Sequence, residues 1–150
     1  MRAVVQRVAE AGVAIEGRGV GRIGRGLAVL VGVEAGDADA DADWLAGKVA
    51  GLRIFADAAG KMNLTVREID GEALVVSQFT LLAETARGNR PSFVRAARPE
   101  AAIPLYERFL AALEPLVGRP VARGVFAADM QVSLVNDGPV TILIDSRRRE

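Results

Sequence analysis

At 150 residues, 51% apolar and 25% charged, the chain has the size and composition of one folded domain, 1–150, with enough core to need no staples. It holds no cysteine and no histidine, which excludes disulfides, thiolate and imidazole metal sites, cysteine nucleophiles and any Ser-His-Asp triad. Its 19 basic residues balance 19 acidic ones, so no global field draws it to nucleic acid or an anionic membrane, and any RNA contact has to be local.

In chain order, Arg2–Ala9 is short, apolar and β-branched, and predicts a first strand. Val13–Glu16 and Val20–Ile23 flank Gly17-Arg18-Gly19 and predict a hairpin. Leu27–Val33 is almost wholly apolar and predicts a buried strand, the fourth β segment in the first 33 residues. From Asp37 to about Gly51 a helix is expected, with acids at its positive end and Trp44, Leu45, Lys48, Val49 and Leu52 on one face. Glu72–Phe79 predicts a central strand. Residues 84–98 are polar and basic and predict a surface loop holding about one helical turn. Pro99 and Pro104 each suit a helix start, and an apolar stripe from Ile103 to Val117 follows, with Pro115 expected to kink or end it. Val121–Phe126, Met130–Val135 and Val140–Asp145 predict closing strands, and Arg147–Glu150 a charged tail.

This order lacks regular βαβ alternation. It predicts an α+β fold: curved antiparallel or mixed β-sheets, barrel-like, covered by two main helices. No apolar run reaches the ~18–20 residues of a membrane span, and no apolar signal core follows Met1, so no membrane association and a cytoplasmic location are expected.

Three constellations have plain structural explanations. Asp37, Asp39, Asp41 and Asp43 are spaced like calcium ligands, but the loop's sixth and twelfth positions are wrong in both registers; they read as acids at a helix start. The glycines of 17–26 meet neither nucleotide fingerprint and read as turn and bulge positions. No metal or cofactor is therefore expected. The arginine-rich loop, with Arg87, Arg90 and Arg95 around Phe93, reads by default as a solvated surface, though basic and aromatic side chains together also suit an RNA end.

Two segments are harder to dismiss. Ser77-Gln78-Phe79-Thr80 ends an apolar strand, where hydroxyls either cap the backbone or serve as nucleophile and oxyanion donors. Asn136-Asp137-Gly138-Pro139-Val140-Thr141 suits a tight turn between strands, since cis X–Pro bonds are only ~5–6% of cases. The alternative is a cis Gly138–Pro139 unit presenting two carbonyls in one direction.

Together these segments closely resemble the D-aminoacyl-tRNA deacylases, once called D-tyrosyl-tRNA deacylases. Met1–Val8, Ala50–Phe55, Gly60–Leu64, Arg90–Phe93 and Ala128–Val132 match as well, so the resemblance spans the chain. It implies a homodimer that hydrolyses the ester joining a D-amino acid, or glycine, to the 3′ CCA end of tRNA, without cofactor or metal. It implies catalytic positions at Ser77, Gln78, Phe79 and Thr80. Chiral selection falls to Gly138 and Pro139, a cis unit entering the other subunit's site, braced by Arg7. Met130 would line the pocket of the terminal adenosine. Under this reading Arg87, Arg90 and Arg95 contact tRNA, and Thr80 positions substrate rather than attacking it. The rival readings are a non-catalytic RNA-end or ribosome-binding module of the same fold, and a general small-ester hydrolase.

Overall fold

The structure, a computed structural model, describes residues 1–149. The elements are β1 (Arg2–Ile15), β2 (Arg18–Ile23), β3 (Gly26–Gly32), α1 (Asp39–Ala50), β4 (Phe55–Ala56), β5 (Met62–Leu64), β6 (Glu72–Ser77), a 3-10 turn (Phe79–Leu82), α2 (Pro99–Val117), β7 (Ala122–Arg123) and β8 (Gln131–Asp145). The fold is α+β, with two helices on a mixed sheet that curls into a nearly closed barrel-like shape.

The sheet runs β2-β1-β3-β6-β7, with β8 on β1. β1 pairs antiparallel with β2, β3 and β8, whereas β3–β6 and β6–β7 are parallel. The curl brings β2 round to β7: a Cβ on Gly21 would stand 3.2 Å from the Arg123 carbonyl. Strands β3 and β6 are buried on both faces, which is why their sequences show no alternation. Leu27, Val29, Val31, Ala73 and Val75 face a core shared with Leu45 and Val49 of α1 and Phe109 and Leu113 of α2. Ala28, Leu74 and Val76 face a smaller core inside the curl, with Val8, Ala11 and Val13.

Four expectations change. Arg2–Ala9 and Val13–Glu16 are one strand, β1, because β8 pairs along it from Arg2 to Ala14 and carries it past Glu10–Gly12; three strands, not four, precede α1. The hairpin turn follows at Glu16 and Gly17, at φ 50° and 76°. Met130–Val135 and Val140–Asp145 are likewise one strand, β8, so Asn136–Thr141 is no tight turn. Gln6 opposes Thr141 and Val8 opposes Asn136, so Asp137–Val140 bulge out opposite Arg7 alone. Val121–Phe126 pairs only at Ala122–Arg123; beyond it the chain leaves the sheet, with Ala127 at φ 63°. The helical turn expected within 84–98 falls earlier, at 79–82, and the loop is instead closed by a bridge between Glu84 and Ser92.

Helix α2 starts at Pro99, takes Pro104 in its interior, and ends two residues beyond Pro115 at a left-handed Gly118, φ 82°. The aspartates at α1 all have work. Asp37 pairs with the Met1 ammonium at 2.7 Å, both fully buried. Asp41 accepts from the Ala38 N–H at 2.9 Å, and Asp39 and Asp43 hold Arg108. No helix among the described residues is long and apolar enough to cross a membrane.

Candidate active site

Where β6 ends, the chain crosses over β3 and opens a cleft of about 560 Å³. Ser77, Gln78 and Phe79 form one wall and Met130 another. The crossing depends on Gly32, the last residue of β3: a Cβ there would fall 2.5 Å from Leu82 Cδ2 and 2.9 Å from the Gln78 carbonyl. Only a glycine lets the 3-10 turn lie this close. The Gln78 N–H donates to the Val31 carbonyl at 2.7 Å, which fixes the turn to β3 and removes that N–H as a donor to any ligand. The first N–H groups of a helical turn lack partners within it, leaving those of Phe79 and Thr80 at its leading end. The Gln78 side-chain amide donates to the Thr80 hydroxyl at 2.5 Å. Thr80 itself is exposed and outside the cleft lining.

Apart from Met130, the opposite walls come from residues to which the sequence assigned no part in a site. Tyr106, on the apolar stripe of α2, reaches the cleft and donates its hydroxyl to the Val75 carbonyl at 3.2 Å. Burial pushes its phenol up to about 12, so it stays protonated and is no base at neutral pH. Phe126 leans on it at 6.0 Å between centroids. Phe126, Ala127, Ala128, Asp129 and Met130 line the cleft because the chain has left the sheet after Arg123. A hydroxyl on an otherwise apolar stripe was the available signal for Tyr106; Met130 was marked by the family resemblance, and nothing local marks Phe126, Ala127, Ala128 or Asp129.

The arginine loop is fastened to this cleft. Phe93 meets Phe79 edge to face at 5.0 Å, and Ala96 and Ala97 join the lining. Arg95 is committed: its guanidinium donates twice to Glu34, at 2.6 and 2.9 Å, and that carboxylate raises its pKa. Arg95 therefore anchors the loop, whereas Arg87 and Arg90 are exposed at its tip, without an ion pair among the described residues.

Arg7, Gly138 and Pro139 form a second group. Arg7 Nε donates to the Asp137 carbonyl at 2.9 Å and Nη1 to the Ile54 carbonyl at 2.6 Å, with the Asp137 carboxylate 3.4 Å away. The Gly138–Pro139 peptide is cis, and Gly138 has φ 133°. Gln6 holds both shoulders of the bulge, accepting from Asn136 at 3.1 Å and from Thr141. Within one chain this group does not line the cleft. Arg7 on β1 pairs with Leu27 of β3, and Ser77 on β6 pairs with Val31 of β3, so the two groups lie four positions apart along the strands, about 13 Å, and two strands apart across the sheet.

Fold and cleft thus define a small α+β enzyme scaffold with an aromatic, hydroxyl-edged site. The family described as D-Tyr-tRNA(Tyr) deacylase matches residues 4–145. The D-aminoacyl-tRNA deacylases of Akkermansia muciniphila and Porphyromonas gingivalis are 61% and 57% identical over 150 residues, covering all of both chains. Among solved structures, the c-Myc DNA Unwinding Element Binding Protein superposes with a TM-score of 0.91 at 39% identity, covering 97% of this chain and 98% of that one. A probable eukaryotic D-amino acid tRNA deacylase superposes at 0.81 with 17% identity, covering 95% and 97%, a likeness of fold. The chain belongs to the D-Tyr-tRNA(Tyr) deacylase family and is an enzyme, a hydrolase of an ester bond.

Proposed function

We propose that the chain hydrolyses the ester joining a D-amino acid, or glycine, to the 3′-terminal adenosine of tRNA. It acts as a homodimer in which Gly138–Pro139 of each subunit completes the cleft of the other. The observation that carries this reading is the separation of Ser77 from the Arg7 group within one chain, about 13 Å along the strands and two strands across the sheet. The unpaired edge of β8, with Val132, Leu134 and Val135 all at least 39% exposed beside the bulge, offers a surface for the second copy.

An aminoacyl ester is already activated, so positioning and charge stabilisation suffice. Water adds to the ester carbonyl, the N–H groups of Phe79 and Thr80 hold the resulting oxyanion, and the bond to the 3′ oxygen breaks as that oxygen takes the proton. The tRNA's own 2′-hydroxyl assists. Thr80 has the Gln78 amide as its partner and no basic side chain, which favours a positioning role. The partner subunit's Gly138 and Pro139 carbonyls accept from the substrate ammonium and leave no space for an L side chain. Met130, Phe126 and Tyr106 receive the terminal adenosine.

Release of amino acid from D-Tyr-tRNA, L-Tyr-tRNA and Gly-tRNA by the purified enzyme tests the reading. Release from the D and glycyl substrates, with the L substrate spared, is expected. No release from any of them while tRNA still binds would instead establish a binding module.

A further inference from the structure

Arg148 and Arg149 carry no role in the hydrolytic site, yet the tail folds back to line a second cleft, of about 460 Å³, between α1 and the end of β8. Its floor is apolar, formed by Val4, Leu52 and Ile144, and its rim is cationic. Arg2, Lys48, Arg148 and Arg149 face Asp145 alone among the described lining residues, and Arg2 is the one that pairs with it, at 2.8 Å. Lys48 and Arg148 are exposed and lie in no ion pair among the described residues. Trp44 stands between cations, with the Arg149 guanidinium 4.6 Å and the Lys48 ammonium 5.8 Å from its ring. In a chain whose 19 basic and 19 acidic residues cancel overall, this local surplus is a departure.

The second cleft adjoins the first. Leu81 lines it and offers its carbonyl to Arg2 at 3.1 Å, while Phe79, two residues back in the same 3-10 turn, lines the hydrolytic cleft. At about 2 Å of rise per residue, Phe79 and Leu81 are about 4 Å apart along that turn, so one short element carries a wall of each cleft. The shared turn gives a polyanionic strand whose 3′ end enters the first cleft a short path to the second.

We infer that the cleft of Trp44, Lys48, Arg148 and Arg149 binds the ribose-phosphate backbone of the tRNA acceptor end, upstream of the esterified adenosine. Lys48, Arg148 and Arg149 take phosphates, and the Arg149–Trp44 stack supplies a flat surface for an unpaired base. This rests on the deacylase reading and extends it from the reacting end to the body of the substrate.

The test compares D-Tyr-tRNA with D-tyrosyl-adenosine, which has the ester but no phosphates, in wild type and in a Lys48→Ala/Arg148→Ala double variant. Both positions are exposed, so the variant folds; Lys48→Arg serves as the control that keeps the charge. Wild-type turnover of D-Tyr-tRNA decides the hydrolytic reading by itself. The inference is decided by the ratio of kcat/KM on tRNA to that on D-tyrosyl-adenosine. In the double variant this ratio falls roughly tenfold, through KM, and the salt slope of tRNA binding falls by about 1.5, as expected for two lost phosphate contacts. Lys48→Arg restores the wild-type contribution of its position. An unchanged ratio and slope overturn the inference, as does an equal loss on both substrates.

Discussion

Replacing Arg7 with Lys keeps the charge and removes the fork. Arg7 reaches two carbonyls at once, that of Asp137 in the bulge and that of Ile54 beyond α1, at 2.9 and 2.6 Å. A lysine ammonium on a single stem cannot serve both positions in this geometry. Hydrogen bonds to charged groups contribute about 1.5–3 kcal/mol each, so losing one costs about 2 kcal/mol. For a chain this long that lowers Tm by roughly 4–8 °C, measurable by thermal unfolding. The kinetic consequence is larger, because the bulge carrying Gly138 and Pro139 loses the contact that fixes it against Ile54. A displacement of about 1 Å can cost on the order of 100-fold. We expect kcat/KM on D-Tyr-tRNA to fall roughly 10- to 100-fold and the preference for D over L substrate to narrow. A variant that loses stability but keeps its full D-over-L ratio would refute the assignment of Arg7 to selection. One that loses neither would refute the hydrogen bonds as a source of rigidity.

Gly32→Ala places a methyl carbon 2.5 Å from Leu82 Cδ2 and 2.9 Å from the Gln78 carbonyl, so the 3-10 turn must lift off β3. Overpacking of this kind costs about 1–3 kcal/mol, and turnover is expected to fall more steeply than stability when both are measured on one preparation. Thr80→Val retains the shape and removes the hydroxyl; near-normal single-turnover rates are expected, and an acyl-enzyme trapped on Thr80 in the wild type would contradict the positioning role. Asp37→Asn leaves the buried Met1 ammonium without its carboxylate, an expected loss of about 3 kcal/mol in urea unfolding. Acid should also weaken the fold. Burial raises the Asp145 pKa, but the Arg147 N–H, the Arg2 guanidinium and the N-terminal charge outweigh it and set the value below the ordinary 3.8. A depressed folded value means stability that is present above pH 3.8 and is lost as pH falls through the folded pKa, so unfolding midpoints should drop in that range and not between pH 5 and 8.

The elements legible in the sequence were those with local signals. The apolar runs at 27–33 and 72–79, the acids before α1 and the stripe of α2 each carry their own periodicity or capping chemistry. Pairing carries no such mark. Glu10–Gly12 looks like a break until β8 lies along it, and Asn136–Val140 looks like a turn until β1 is seen to run on opposite it. The anchoring of Arg95 was illegible for the same reason, since its partner Glu34 is 61 residues away. In the site, Ser77–Phe79 and Met130 do share a cleft, whereas Thr80 lies outside its lining. The cleft's far wall arises where a segment abandons the sheet, and no sequence pattern announces a strand that fails to pair.

A cleft without histidine still has to select, and selection here is a problem of rigidity. A thousand-fold bias between mirror-image substrates needs about 4 kcal/mol, more than one neutral hydrogen bond supplies. Exclusion by bulk can reach it only if the excluding group does not yield. The bulge meets that condition unusually well for a loop, being inserted in a continuous strand, held at both shoulders by Gln6 and clasped from beneath by Arg7. A wall of that kind acts on a side chain and has nothing to act on in glycine. Under the proposed function, the same construction that would reject an L-amino acid leaves a glycyl ester open to hydrolysis, which the Gly-tRNA arm of the release assay checks.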